Sequence, residues 1–252
     1  MFDTSRLTSE AKPIVEAAAA IYLRHTQPWF VGLVVHGSAL KGGFIPGCSD
    51  IDFQLYLHDP LPFEIYLSIQ REISQIDPDP FRYIQCYPFS DILPEEHSGP
   101  VPGAYHILAG RLPVAEATRS QLQESARKRI AALNPIPKYL VDGLLESGIG
   151  RLSRNIRWLC TDVWPTIYQV LILQGHDPFI IWSLPKPQAI ALFPSDTPLG
   201  QTIRAFYQAV QTYYPYEQLL VEAFAVIETG VGFLRTVKAW WNEYVHDVDL
   251  SQ

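Results

Sequence analysis

The chain has 252 residues, of which 48% are hydrophobic and 18% are charged, which argues against a disordered protein. The formal net charge of −7 argues against non-specific nucleic-acid binding, because such binding depends on lysine and arginine side chains that neutralise phosphates. Three widely spaced cysteines, no signal peptide and no apolar run long enough to span a bilayer predict a cytoplasmic protein that does not cross a membrane.

The first part of the sequence alternates helices and strands. Apolar residues at helical spacing predict a helix over 8–25, with Ser9 as its cap, and a second helix that begins at Pro62. Short runs of apolar and β-branched residues predict four strands, at 29–35, 51–57, 81–87 and 105–108. This pattern is typical of a small mixed sheet with helices on one face.

The second part of the sequence has only helical patterns. Four helical segments are predicted, at 115–133, 149–163, 202–214 and 220–234. The predicted fold class is therefore α+β, with a small mixed β-sheet domain over 1–112 and an all-helical bundle over 113–252. We expect an active site in the cleft between the two domains, where ligand pockets are frequently found.

A glycine-rich turn follows the first predicted strand. Gly37 lacks a β-carbon, so its backbone can approach a ligand closely, and Ser38 adds a hydroxyl donor at the start of a helix. Gly42 and Gly43 allow a tight turn before the next strand. Such a turn is suited to holding the phosphates of a nucleotide.

Two aspartates stand at the start of the second predicted strand. Asp50 and Asp52 are two residues apart, so an extended backbone places both carboxylates on one face. Adjacent carboxylates repel each other unless a cation lies between them, and Mg²⁺ prefers such oxygen ligands. A lone Asp-x-Asp is common, but its position after a Gly-Ser turn, between two strands, favours a metal site.

Taken together, these residues resemble the signature of the DNA polymerase β type of nucleotidyltransferase. That signature is a Gly-Ser followed, about a dozen residues later, by an Asp-x-Asp on a strand; here the spacing is one residue longer. The matching positions are Gly37-Ser38, the Gly42-Gly43 pair and the segment Ser49-Asp50-Ile51-Asp52-Phe53. The resemblance implies that Asp50 and Asp52 bind Mg²⁺ and are the catalytic residues. It also implies nucleotide contacts at Gly37, Ser38 and Ser49.

A second resemblance lies in the helical part. The segment from Pro185 to Ala191, followed by a helix that contains 206–210, is similar to the C-terminal domain of aminoglycoside (streptomycin and spectinomycin) adenylyltransferases. In those enzymes a lysine before a short helix contacts the nucleotide phosphates. The resemblance implies this role for Lys186, whereas an exposed loop lysine is the alternative interpretation.

The sequence departs from the family at the third acid. The third predicted strand places Gln85 where family members often have a carboxylate, and the loop residues Asp91, Glu95 and Glu96 are alternative sources of charge. The general base is open as well, since some of these enzymes take it from the helical domain. The candidates there are Glu116, Glu146 and Glu222.

The expected function is Mg²⁺-dependent transfer of a nucleoside monophosphate, AMP from ATP, to a hydroxyl of a small-molecule acceptor. Two alternatives stay open from the sequence. One is a catalytically weakened nucleotide-binding or interaction protein, because Gln85 is neutral. The other is a transferase that modifies a protein or tRNA, because no motif records the acceptor.

Overall fold

The computed structural model describes residues 2–90, 99–146, 148, 150–214 and 219–249. The chain divides into two compact units, Met1–Thr118 and Arg119–Gln252. The domain division predicted from the sequence, 1–112 and 113–252, stays a prediction.

The first unit contains three helices and four strands among its described residues. In chain order they are α1 (Lys12–Thr26), β1 (Phe30–His36), α2 (Ser38–Lys41), β2 (Ile51–Leu57), α3 (Phe63–Ile73), β3 (Ile84–Ser90) and β4 (Tyr105–Gly110). The strands form one mixed sheet in the order β3-β2-β1-β4. β1 pairs antiparallel with β2 and β4, whereas β2 pairs parallel with β3.

Alternation along β2 separates the two faces of the sheet. Ile51, Phe53 and Leu55 are buried in a cluster that includes apolar side chains of α1 and α3. Tyr56 points to the opposite face, where it packs with residues that include Tyr105 and Ile107. Because successive side chains of a strand point to opposite faces, the intervening Asp52 lies on the face away from the α1 and α3 cluster.

The second unit is helical throughout its described residues. Its helices are α4 (Arg119–Ala131), α5 (Lys138–Leu144), α6 (Arg151–Leu173), α7 (Pro178–Ser183), α8 (Lys186–Ala191), α9 (Pro198–Tyr213) and α10 (Leu220–Asp249). The centre of the unit is α6, which packs against α4, α5, α7, α8 and α10. Of the helices described, none combines the length and the hydrophobicity that crossing a bilayer requires.

The predicted starts of α1 and β3 were wrong. α1 begins at Lys12, with Pro13 in its first turn, and not at residue 8, so Ser9 does not cap it. β3 begins at Ile84, three residues later than predicted, because the preceding segment forms hydrogen bonds outside the strand pairing instead. There the amide of Phe81 donates to the carbonyl of Pro78 at 2.8 Å, and the amide of Arg82 donates to the carbonyl of Ser49 at 2.8 Å.

Candidate active site

The glycine-rich turn begins directly where β1 ends. Gly37 has φ +76° and ψ −148°, a backbone conformation that is essentially restricted to glycine. Its carbonyl accepts hydrogen bonds from the amides of Leu40 (3.2 Å) and Lys41 (3.1 Å), which forms the single turn of α2. Gly42 ends that turn with φ +71°, so glycines flank α2 on both sides.

Strand pairing brings this turn against the second aspartate. His36, the last residue of β1, is paired with Asp52 of β2. A β-carbon added to Gly37 would lie 2.9 Å from Oδ2 of Asp52. The absence of a side chain at residue 37 therefore leaves room for the Asp52 carboxylate beside the turn.

The first aspartate, Asp50, lies immediately before β2, in agreement with the strand predicted over 51–57. Its backbone carbonyl accepts a hydrogen bond from the hydroxyl of Ser38 at 3.2 Å. Its carboxylate Oδ1 is buried, and its Oδ2 accepts a hydrogen bond from the amide Nε2 of Gln85 at 3.2 Å. Asp50 thus connects the turn after β1 to strand β3.

Ser49 stabilises the loop that leads into β2. Its hydroxyl oxygen accepts a hydrogen bond from the amide of Ile45 at 2.8 Å, and its own amide donates to the Ile45 carbonyl at 2.9 Å. The side chain is buried. In this structure the contacts of Ser38 and Ser49 fix the backbone on either side of the loop, and their role in nucleotide binding stays a prediction.

Gln85 occupies the place next to Asp52 on the neighbouring strand. The register pairs Asp52 with Gln85, so the predicted third-acid position adjoins the two aspartates. Gln85 donates from its amide to Asp50, and its carbonyl Oε1 accepts from the hydroxyl of Tyr87 at 2.6 Å. No sequence motif marks Tyr87, although its position two residues after Gln85 predicts the same face of a strand.

The residues present fit a magnesium ion. Across the described part of the chain, no group of three or more His, Cys, Asp or Glu side chains is suited to a metal. Mg²⁺ does not require one, because it commonly binds through one or two carboxylates and takes its other ligands from water and phosphates. Asp50 and Asp52 supply two carboxylates, and the absence of a β-carbon at Gly37 leaves space beside that of Asp52.

His36 adds a neutral side chain at the same end of the sheet. Burial, with a smaller contribution from the Lys41 ammonium, lowers the pKa of His36 from 6.5 to about 4. The imidazole is therefore uncharged at neutral pH and adds no positive charge at this end of the sheet.

The remaining predicted residues belong to other segments of the chain. Lys186 is the first residue of α8 in the second unit, and its ammonium lies 5.7 Å from the centroid of the Trp164 ring. The loop carboxylates proposed as alternatives to Gln85, namely Asp91, Glu95 and Glu96, lie outside the described residues.

The three general-base candidates differ in their surroundings. Glu116 accepts a hydrogen bond from the Tyr105 hydroxyl at 2.7 Å, and Glu146 forms an ion pair with Arg151 at 2.9 Å. Oε2 of Glu222 is buried and, within the described residues, has no hydrogen-bond partner. None of these contacts assigns the base.

Comparison with known proteins adds a structural likeness. No protein-family model and no curated protein sequence matches this chain. The crystal structure of spectinomycin adenyltransferase AAD(9) from Enterococcus faecialis, with ATP and spectinomycin, is similar to it, with a TM-score of 0.57 and 16% identity. The match covers 90% of this chain and 99% of that one.

This chain shares the fold of that adenyltransferase. The likeness confirms the predicted architecture, a small mixed sheet followed by a helical part, and the resemblance to aminoglycoside adenylyltransferases at the level of the fold. At 16% identity the adenyltransferase fold does not by itself transfer residue roles or substrates.

Proposed function

We propose that this chain is a magnesium-dependent nucleotidyltransferase that moves a nucleoside monophosphate, AMP from ATP, to a hydroxyl of a small-molecule acceptor. The observation that carries the proposal is the contact between the Gly-Ser turn and the two aspartates. Gly37 adjoins Oδ2 of Asp52, and Ser38 is hydrogen-bonded to the backbone of Asp50. The fold shared with an adenyltransferase crystallised with ATP and spectinomycin supports the same function.

The two aspartates are proposed as the metal ligands. Asp50 directly precedes β2 and Asp52 is its second residue, and two carboxylates held this near to each other favour a shared cation. When bound, Mg²⁺ supplies positive charge that polarises the α-phosphate and offsets the charge of the leaving pyrophosphate. Asp50 and Asp52 would hold that charge in place, so their loss removes binding as well as turnover.

The phosphate contacts are proposed at Gly37, Ser38, Ser49 and Lys186. The bare backbone at Gly37 lets a phosphate oxygen approach more closely than any other residue would allow. Lys186 would contribute a compact positive charge, as lysines do at many phosphate sites. The acceptor hydroxyl is proposed to belong to a small molecule, which the spectinomycin bound to the structurally similar enzyme supports.

Calorimetric titration of Mg²⁺ with a non-hydrolysable ATP analogue tests the metal site. Asp50→Asn and Asp52→Asn each remove one proposed ligand. We expect each to weaken binding by more than the roughly tenfold loss that is typical of outer-shell changes. Asp59→Asn, which makes the same charge change at an exposed position, is the matched control and should bind like the wild type. Equal binding by all four proteins would refute the proposal.

The same titration tests Lys186. Lys186→Met keeps the length of the side chain and removes its charge, so the analogue should bind about tenfold more weakly. Lys128→Met, on the exposed side of α4, is the control. If Lys186→Met binds the analogue as tightly as the control, Lys186 makes no phosphate contact.

The neutral side chain of Gln85 favours one second candidate function, a nucleotide-binding protein with weakened catalysis. Gln85 donates to Asp50 and adds no negative charge. Pyrophosphate release measured over a panel of hydroxyl-bearing small molecules separates the candidates, since only a transferase releases it in proportion to acceptor. Labelled ATP incubated with a cell lysate would instead label a macromolecule if the acceptor were a protein or tRNA.

A further inference from the structure

Two hydrogen bonds in series connect strand β3 to Asp50, which directly precedes β2. The hydroxyl of Tyr87 donates to Oε1 of Gln85 at 2.6 Å, and Nε2 of Gln85 donates to Oδ2 of Asp50 at 3.2 Å. Tyr87 is 48% exposed, whereas Gln85 is partly buried. The charged residue is therefore connected to a phenol nearer the surface through one neutral amide.

The direction of both hydrogen bonds follows from the charge of Asp50. An ionised carboxylate only accepts hydrogen bonds, so the NH₂ group of Gln85 has to face it. The amide oxygen, turned the other way, would lie against a negative charge and repel it. With the NH₂ group toward Asp50, the Gln85 oxygen faces Tyr87, and only the phenol has a hydrogen to donate between them.

We infer that Tyr87 is a positioning residue, which holds the Gln85 amide so that Gln85 orients the Asp50 carboxylate toward a divalent cation. The inference rests on the proposed function, because it assigns Asp50 as a metal ligand. Gln85 then replaces the missing acid by supporting a ligand and does not bind the metal itself. Its carbonyl oxygen is hydrogen-bonded to Tyr87 and cannot turn toward a cation without breaking both hydrogen bonds.

The alternative role for Gln85, direct ligation through its carbonyl oxygen, predicts the opposite effect of one substitution. If Gln85 were a metal ligand, the Tyr87 hydroxyl would compete with the cation for Oε1, so Tyr87→Phe would strengthen metal binding. If Gln85 supports Asp50, Tyr87→Phe lets the amide rotate and weakens metal binding. The sign of the change therefore distinguishes the two roles.

Titration of manganese(II) chloride in the presence of a non-hydrolysable ATP analogue provides the measurement. Electron paramagnetic resonance measures the concentration of free Mn²⁺, independently of turnover. We expect Tyr87→Phe and Gln85→Leu each to raise the Mn²⁺ dissociation constant about tenfold, which is typical of residues that support a ligand. Tyr66→Phe, a partly exposed tyrosine of α3, is the matched control and should leave the constant unchanged.

The double variant tests whether Tyr87 acts through Gln85. Once Gln85 is replaced by Leu, loss of the Tyr87 hydroxyl should have no further effect, so the double variant should bind Mn²⁺ like Gln85→Leu alone. Effects that multiply, or unchanged or tighter binding by Tyr87→Phe, would overturn the inference. Melting in the presence of EDTA confirms that each variant is folded.

The wild-type titration separates this inference from the proposed function. If the wild type binds Mn²⁺ and Asp52→Asn does not, the metal site stands, and the Tyr87 and Gln85 variants alone decide the inference. If the wild type binds no Mn²⁺ with the analogue, the proposed function fails, and the positioning role fails with it.

Discussion

Gly37 and Asp52 are so close that a β-carbon on residue 37 would lie 2.9 Å from Oδ2 of the Asp52 carboxylate. The two residues are adjacent because His36, at the end of β1, pairs with Asp52 near the start of β2. Gly37 is therefore required for two reasons, its backbone conformation and the space that it leaves for the carboxylate.

Replacement of Gly37 by alanine should affect both stability and metal binding. The backbone conformation alone should cost roughly 1–3 kcal/mol of unfolding free energy. The new methyl group should also displace the Asp52 carboxylate and weaken Mn²⁺ binding with an ATP analogue. Denaturant unfolding and calorimetry measure the two effects separately.

Gly103→Ala is the control for that substitution. Gly103 also has a positive φ, +81°, but an added β-carbon would meet no atom within 4 Å. It should lose stability without any loss of Mn²⁺ affinity. If Gly37→Ala binds Mn²⁺ as tightly as Gly103→Ala does, the space beside Asp52 has no part in metal binding.

His36 should make the metal-free protein sensitive to acid. Its pKa falls from 6.5 to about 4 on folding, so above pH 6.5 the imidazole is neutral in both states and contributes nothing. As the pH falls from 6.5 toward 4, the unfolded chain binds a proton that the folded protein does not, so stability is lost. The full shift corresponds to about 3 kcal/mol.

His36→Gln removes the imidazole that titrates. Between pH 7 and pH 4.5, the variant should therefore lose less unfolding free energy than the wild type does. Urea unfolding in EDTA at several pH values measures the difference in unfolding free energy between the variant and the wild type. The contributions of the other titrating groups are common to both proteins and cancel in that difference. His58→Gln, at an exposed position, is the control and should follow the wild type. Parallel pH curves for His36→Gln and the wild type would contradict the prediction.

A close contact between Gly143 of α5 and Asn155 of α6 should couple the two residues. Asn155 is fully buried, and a β-carbon on Gly143 would lie 2.0 Å from its Nδ2. Gly143→Ala should therefore destabilise the wild type, by roughly 1–3 kcal/mol as overpacking does. In an Asn155→Ala background the same change should instead stabilise, by about 1 kcal/mol, because alanine is the better helix former.

A double-mutant cycle by denaturant unfolding measures this coupling. Gly232→Ala in α10 is the control, since an added β-carbon there meets nothing within 4 Å and alanine should stabilise the helix. If Gly143→Ala costs the same in both backgrounds, Asn155 is not what excludes a side chain at residue 143.

The parts of the fold that depend on local pattern were predictable from the sequence. The strand predicted over 51–57 was correct at both ends, because the alternation of apolar and polar residues at its start is a local signal in the sequence. β3 was displaced by three residues because hydrogen bonds outside the strand, including Arg82 to Ser49, decide where it begins. No local pattern records such long-range bonds.

The candidate site was predictable to a similar extent. The sequence motif identified Gly37, Ser38, Asp50 and Asp52, and the structure places them together. The orientation of the Gln85 amide was not predictable, because it depends on two partners, Asp50 and Tyr87, of which one lies on a different segment. Lys186 belongs to the second unit, and its role stays a prediction.

The antiparallel pairing of β1 with β2 has a consequence for how such sites vary between proteins. The register fixes His36 opposite Asp52, whereas the loop that joins the two strands can gain or lose residues without moving either end. The spacing between Gly-Ser and Asp-x-Asp is therefore free to drift during evolution. A search for distant relatives should require the cross-strand pair and leave the length of the loop unrestricted.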